Sequence, residues 1–155
     1  MPDGAYVIDS NILIRWVKPD DHDYPVLNSL IESLIRQGST FCYTSQNLAE
    51  FWNACTRPLE RNGYGLTTGE VDSRAAAIEN TLNFLPDNAD VHWEWRRLIV
   101  THQVAGVQVH DARLVAAMHV HGIKRILTFN ERDFARYDDV EAWHPQLLSS
   151  KLGSS

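Results

Sequence analysis

Short apolar segments that alternate with amphipathic segments are the feature that most constrains how this chain can fold. Residues 5–9, 40–43 and 125–129 are short, β-favouring apolar runs, and segments with helical periodicity separate them. Strands separated by helices pair in parallel, because the helices serve as crossover connections that cover both faces of the sheet. The pattern therefore predicts the α/β class, as a three-layer α/β/α sandwich with a central parallel sheet.

Two helices are predicted between the first two strands. Residues 10–16 continue from the first strand as a helical turn, and apolar residues recur at helical spacing over residues 26–35. Pro25 suits the first turn of the second helix, and Gly38 is placed to end it.

Two more helices are predicted after the second strand. Ser45 is a suitable N-cap for a helix that ends before Pro58. Thr67 and Glu70 have the spacing of a capping box, ahead of a helix whose apolar positions continue to Leu85.

The last two predicted helices precede the final strand. Asp90 is placed to cap one of them, and the other covers residues 109–121 and stops at Gly122. We expect residues 1–148 to form one domain of ordinary length, and the polar residues 149–155 to be a C-terminal tail.

Composition narrows the class of protein further. The chain is 44% hydrophobic and 22% charged, which is typical of a globular domain. It lacks the apolar run of a membrane span and the basic, apolar start of a signal peptide, so a cytoplasmic location is predicted. Cys42 and Cys55 do not form a Cys-x-x-Cys motif and are expected to be reduced and buried.

Three acidic residues have positions that suggest a common site. Ligands of open α/β sheets bind beyond the carboxyl ends of the strands, where the strand order reverses. Asp9 ends the first strand, and Asp133 follows the last predicted strand by one loop. Asp111 continues the apolar stripe of its helix at Leu114 and Val115, where an unpartnered carboxylate is costly.

Each acid also has a simpler structural explanation. Asp9 can cap the helix that follows it, and Asp133 can be an ordinary loop residue. Glu50 lies opposite the apolar stripe of its helix, which is typical of a solvated residue, so periodicity alone does not select it. Capping also competes as an explanation for Asp111, although the residues just before it are nearer to the cap position.

A cluster of carboxylates favours a hard cation such as Mg²⁺ or Mn²⁺ over zinc. The histidines do not show chelating spacing, and His119 and His121 face different ways on their helix. A formal net charge of −6 argues against an extended basic surface for nucleic acid. Local basic residues such as Arg57, Arg113 and Arg132 are the candidates for phosphate contacts.

Four motifs follow one another along the chain. They are Val-Ile-Asp9-Ser-Asn, Asn47-Leu-Ala-Glu50-Phe-Trp-Asn with Thr56-Arg-Pro after it, His110-Asp111-Ala-Arg-Leu-Val-Ala-Ala-Met, and Leu127-Thr-Phe-Asn130-Glu-Arg-Asp133-Phe. In these motifs and their order the chain resembles the PIN-domain ribonucleases, and among them the VapC-like toxins of type II toxin-antitoxin systems.

The resemblance implies a PIN-like fold, usually dimeric, that binds Mg²⁺ or Mn²⁺, cuts RNA and is held inactive by a cognate antitoxin protein. It implies a catalytic, metal-binding quartet of Asp9, Glu50, Asp111 and Asp133. It also implies polar support from Ser10, Asn11 and Asn130. Under this hypothesis Asp9 and Asp111 hold the principal ion, Glu50 and Asp133 complete its shell, and a metal-activated water attacks the phosphate in line.

Two alternatives stay open at this stage. A haloacid-dehalogenase-like phosphatase also begins with Asp after the first strand, but it expects a second Asp where this chain has Asn11. A catalytically silent module that binds RNA or an antitoxin is the other alternative, and the negative net charge is compatible with it.

Overall fold

The computed structural model describes residues 4–153, which form five strands and seven α-helices. The strands are β1 (Ala5–Ile8), β2 (Thr40–Thr44), β3 (Asn83–Leu85), β4 (Arg125–Leu127) and β5 (Glu141–Trp143). The helices are α1 (Ser10–Trp16), α2 (Tyr24–Arg36), α3 (Ser45–Thr56), α4 (Thr68–Thr81), α5 (Ala89–His102), α6 (Gln108–Val120) and α7 (Pro145–Gly153). Short 3-10 helices lie at Leu59–Arg61 and Glu131–Phe134.

All neighbouring strands are parallel, in the order β3-β2-β1-β4-β5. The chain builds outward from β1 through β2 to β3, and then crosses back to place β4 on the other side of β1. The strand order therefore reverses between β1 and β4. The cleft beyond the carboxyl ends of these two strands is the place where such a sheet binds ligands.

Helices cover both faces of the sheet, which confirms the predicted three-layer α/β/α sandwich. Side chains alternate along β1, so Tyr6 and Ile8 point to one face and Val7 to the other. The first face is packed against α1, α2, α3, α4 and α7, and the second against α5 and α6. Each face has its own apolar core, with β1 buried between them.

Most predicted helices are confirmed, but two of the predicted N-caps are wrong. Thr44, not Ser45, caps α3, because the Thr44 backbone is still extended and its hydroxyl accepts a hydrogen bond from the Asn47 amide at 3.2 Å. Asn88, not Asp90, caps α5, since its side chain accepts from the Val91 amide at 3.0 Å. In both cases an earlier residue, one position before Ser45 and two before Asp90, also had a capping side chain.

The helix expected to continue to Leu85 ends earlier. Thr67 caps α4 as predicted, but the chain turns extended at Leu82, and Leu85 belongs to β3. β3 pairs with β2 over only three positions, from Cys42–Asn83 to Thr44–Leu85. A strand this short has too few residues for its periodicity to show in the sequence.

The C-terminal segment differs from the expected polar tail. Residues 149–153 are the second half of α7, so the predicted domain boundary at residue 148 falls within a helix. Leu148 is buried, and Leu152 packs against the same apolar core. Residues 1–3 and 154–155, which the predicted domain and tail include, lie outside the described residues.

Two further expectations can be compared with the structure. Cys42 and Cys55 are buried and unpaired, and burial raises the pKa of the Cys42 thiol to about 11, so both are packing residues. In the described part of the chain, every helix is too short or too polar to cross a lipid bilayer.

Candidate active site

Asp9 lies at the reversal point of the sheet, directly after β1. One carboxylate oxygen, Oδ1, accepts a hydrogen bond from the Ser10 amide at 2.8 Å, so Asp9 is the N-cap of α1. The other oxygen, Oδ2, accepts from the Thr128 hydroxyl at 2.8 Å, and Thr128 directly follows β4. The capping explanation is thus correct, and it leaves the carboxylate in the cleft between the two strand ends.

Glu50 reaches the same place from α3. The Ser10 hydroxyl donates to Oε1 of Glu50 at 3.1 Å, and the Gln46 side chain donates to the same oxygen at 3.4 Å. Glu50 is exposed, as its helical position indicated, but its exposed face borders the cleft. Helical spacing describes which residues share a face and not what that face meets, so the sequence alone did not place Glu50.

Asp111 joins the site from the first turn of α6. Val107 occupies the N-cap position of α6, so Asp111 is not the cap. Its pKa is raised to about 7, first by burial and then by repulsion from Asp9, Asp133 and Glu50. A smaller influence from Arg136 opposes the shift.

Asp9 shows the same repulsion. Burial raises its pKa to about 6, against the hydrogen bonds from Thr128 and Ser10, and the charges of Glu50 and Asp133 raise it further. Asp133 itself is exposed on the 3-10 helix after β4. The charges of the other three predicted acids therefore all act on Asp111, although the four come from separate parts of the sequence.

The polar residues predicted to support the site hold its backbone and its carboxylates. Ser10 donates to Glu50, as described above. Asn11 accepts from the Phe129 amide at 3.3 Å, and its side-chain NH₂ donates to the Thr128 hydroxyl at 3.4 Å. Asn130 acts through its backbone, since its amide donates to the Thr128 hydroxyl at 3.0 Å.

Thr128 and Gln46 are site residues that the sequence analysis missed. Thr128 is fully buried, and its hydroxyl connects Asp9 to Asn11 and Asn130. Gln46 bridges two elements, because its side-chain NH₂ donates to the His110 carbonyl at 2.8 Å as well as to Glu50. The one available signal for Thr128 was its position near the carboxyl end of a predicted strand.

The chemistry of the donors fits a hard divalent cation. All four candidate ligands are carboxylates. Neighbouring negative charges raise the pKa values of Asp9 and Asp111, and a bound divalent cation would relieve this repulsion. Within residues 4–153, however, no three acidic, His or Cys side chains already meet closely enough to form a metal centre. The site is thus an electronegative cleft in which the carboxylates stand apart from one another.

The three basic residues proposed for phosphate contacts have different surroundings. Arg113 forms an ion pair with Asp87 at 2.7 Å, and Arg57 donates to the Asn62 carbonyl at 3.2 Å. Arg132 is exposed on the 3-10 helix that carries Asp133. Arg136, which the sequence analysis did not select, is the cation whose charge acts on Asp111.

Comparison with known families identifies the relationship that the motifs suggested. The profile of the PIN domain matches residues 6–140, which includes every residue of the acidic site. The chain belongs to the PIN domain family. No match was found among curated proteins.

Solved structures confirm that this PIN domain has the expected fold. VapBC2 from Rickettsia felis, bound to a DNA fragment from their promoter, aligns with a TM-score of 0.66 at 16% identity, covering 90% of this chain and 99% of that chain. The Mycobacterium tuberculosis toxin VapC20, described as cleaving the sarcin-ricin loop, aligns at 0.65 and 18% identity, over 85% and 95% of the two chains. A toxin-antitoxin complex from Klebsiella pneumoniae aligns at 0.62 and 16% identity, over 90% and 97%.

Proposed function

We propose that this PIN domain protein is a metal-dependent endoribonuclease that hydrolyses RNA phosphodiester bonds. The observation that carries the proposal is the electrostatic coupling of Asp9, Glu50, Asp111 and Asp133 where the strand order reverses. Four converging carboxylates are unfavourable for stability, which is typical of a site kept for function. Nucleophilic side chains such as Ser10 and Thr128 are occupied as donors to these carboxylates.

The four carboxylates would hold Mg²⁺ or Mn²⁺, with Asp9 and Asp111 as the principal ligands. A bound divalent cation supplies a water of lowered pKa and positive charge for the phosphoryl oxygens. The chain itself holds the carboxylate ligands in position. Thr128 and the Ser10 amide fix both oxygens of Asp9, while Ser10 and Gln46 hold Glu50 at the rim of the cleft.

We also propose that the protein is the toxin of a toxin-antitoxin pair, acts in the cytoplasm as a homodimer, and is inhibited by a cognate antitoxin. Two facts about proteins with the same fold support this: one cleaves the sarcin-ricin loop, and another is part of a toxin-antitoxin complex. Exposed apolar side chains on α5, Trp93 and Val100, offer surface for an association between copies.

The test is RNA cleavage by Asp9→Asn and Asp111→Asn variants in Mg²⁺ or Mn²⁺. Each variant removes the charge of one proposed ligand, so we expect activity to fall by more than about 100-fold with an unchanged circular dichroism spectrum. Asp72→Asn is the matched control, because Asp72 is exposed on α4, on the opposite side of the sheet from α6. EDTA should stop cleavage, and added Mg²⁺ should restore it.

The silent binding module is the alternative that this experiment separates. Wild-type protein that binds RNA in the presence of Mg²⁺ and Mn²⁺ but leaves it intact would support that alternative. Full activity of both Asn variants, or undiminished cleavage in EDTA, would contradict the assignment of the acidic site.

A further inference from the structure

A cavity of about 440 Å³ lies next to the acidic site, between the first turns of α5 and α6. Its volume is within the range of ligand sites, roughly 300–1,000 Å³. Its walls combine aromatic, basic and acidic groups. They include Asp87, His92, Trp95, Val109, His110 and Arg113.

The cavity and the acidic site are neighbours on α6. His110 lines the cavity and directly precedes Asp111 on α6. The Gln46 side chain ties the two together, since it donates to the His110 carbonyl at 2.8 Å and to the Glu50 carboxylate at 3.4 Å. A chain-like ligand at the carboxylates can therefore place its neighbouring unit in the cavity.

The cavity offers flat aromatic surface held in a fixed position. The indole N–H of Trp95 donates to the Val109 carbonyl at 2.8 Å, which holds that ring against the wall. The His92 ring lies 6.0 Å from the Trp95 ring, with an angle of 50° between their planes, and His92 is exposed. Stacking on such rings is the common way in which proteins bind unpaired bases.

The cavity also has a cation that can contact phosphate. Arg113 pairs with Asp87 at 2.7 Å, but its side chain is 47% exposed, and an exposed ion pair contributes little net stability. A phosphate can take the place of the Asp87 carboxylate with similar geometry, because guanidinium binds both groups in the same way. Arg113 lies two residues after Asp111, on the same first turns of α6.

We propose that this cavity binds one unpaired nucleobase of the RNA beside the scissile phosphate, with the exposed His92 ring stacking on the base, Trp95 forming the wall behind it and Arg113 contacting the backbone. This inference rests on the proposed ribonuclease function and adds a subsite to it. It explains how a chain with a net charge of −6 binds RNA: base stacking and one local cation replace an extended basic surface.

The first experiment compares RNAs that lack one base. A short single-stranded RNA that the wild type cleaves is made with an abasic residue at each position near the cut. At one position we expect the abasic RNA to raise KM about tenfold with little change in kcat. His92→Ala should raise KM of the intact RNA by a similar factor, and should be insensitive to the abasic residue at that position.

Arg36→Ala is the control variant. Arg36 is exposed at the end of α2, beyond the amino ends of the strands and away from the cleft, and we expect the KM of this variant to match the wild type.

The ion pair between Arg113 and Asp87 provides a second test. Arg113→Gln should raise KM, whereas Asp87→Asn should lower it, because the uncharged side chain leaves the guanidinium available to phosphate.

The outcomes separate this inference from the proposed function. If the wild type cleaves RNA and the abasic penalty is the same in His92→Ala as in the wild type, the subsite is wrong and the ribonuclease assignment stands. If the wild type does not cleave RNA, the proposed function fails. The indole N–H resonance of Trp95 then tests the cavity directly during titration with single-stranded polyuridylate or polyadenylate, and an unmoved resonance would overturn the subsite.

Discussion

At the scale of single residues, one buried side chain connects the helix cap of α3 to the acidic site. Asn47 is fully buried, and its Oδ1 accepts from the Thr44 amide at 2.9 Å. Its side-chain NH₂ donates to the Ser10 hydroxyl at 3.4 Å, and Ser10 in turn donates to Glu50. Asn47 thus orients a candidate ligand through Ser10 while it satisfies the backbone at the end of β2.

We predict that Asn47→Ala lowers both stability and cleavage. It leaves the buried Thr44 amide without its acceptor, which costs about 1–3 kcal/mol of the free energy of unfolding, and it frees Ser10 to rotate away from Glu50. Urea denaturation and RNA cleavage measure the two effects. Asn53→Ala, an exposed position on the same helix, should change neither; equal effects of the two variants would contradict the role given to Asn47.

The sequence predicted the residues of the site unequally, for physical reasons. Asp9 and Asp111 were predictable because a strand end and an apolar helical stripe are local patterns. Glu50 was suggested by family resemblance alone. Its contact with Ser10 joins two different helices, and its contact with Gln46 lies on the exposed face of α3, so local sequence indicates neither. Thr128 was missed because its role depends on a contact between residues 119 positions apart.

At the scale of secondary-structure elements, a sustained apolar pattern decided what could be predicted. The longer amphipathic helices α2 and α5 leave a periodic pattern over several turns, and both were predicted. β3 and β5 have three residues each, and their pairing with β2 and β4 is a tertiary contact that local sequence does not encode. The helix at the C-terminus was missed because Ser149 and Ser150 were interpreted as the start of a polar tail.

We predict that Leu152→Ala destabilises the domain, because α7 is part of the core and not a tail. Leu152 is partly buried against the core that includes Leu148, so truncation should cost about 1–2 kcal/mol of the free energy of unfolding. Thermal denaturation measures it. The matched control is Ser150→Ala on the exposed side of α7, and a melting temperature equal to that control would show that the end of α7 does not contribute to the fold.

At the scale of the whole molecule, the acidic site opposes the stability of the fold. The pKa values of Asp9 and Asp111 rise from 3.8 to about 6 and about 7, so the folded protein holds more protons than the unfolded chain between about pH 4 and 7. The free energy of unfolding in metal-free buffer should therefore be highest at the acidic end of this window and fall as the pH rises through it.

Asp111→Asn removes one of the repelling charges and should stabilise the metal-free protein at pH 8 by about 1–2 kcal/mol, after allowance for solvent screening at this half-exposed group.

Magnesium should reverse the same effect, because a cation that binds the ionised carboxylates of the folded state and not the unfolded chain stabilises the fold, and more so at higher affinity. We predict that Mg²⁺ raises the melting temperature of the wild type at pH 8, and does so much less at pH 5, where Asp9 and Asp111 are mostly protonated. The Mg²⁺ effect at pH 8 should also be small in Asp111→Asn, while Asp72→Asn should respond as the wild type does. If Mg²⁺ does not change the melting temperature at pH 8, the repulsion among these acids is relieved by something other than a divalent cation.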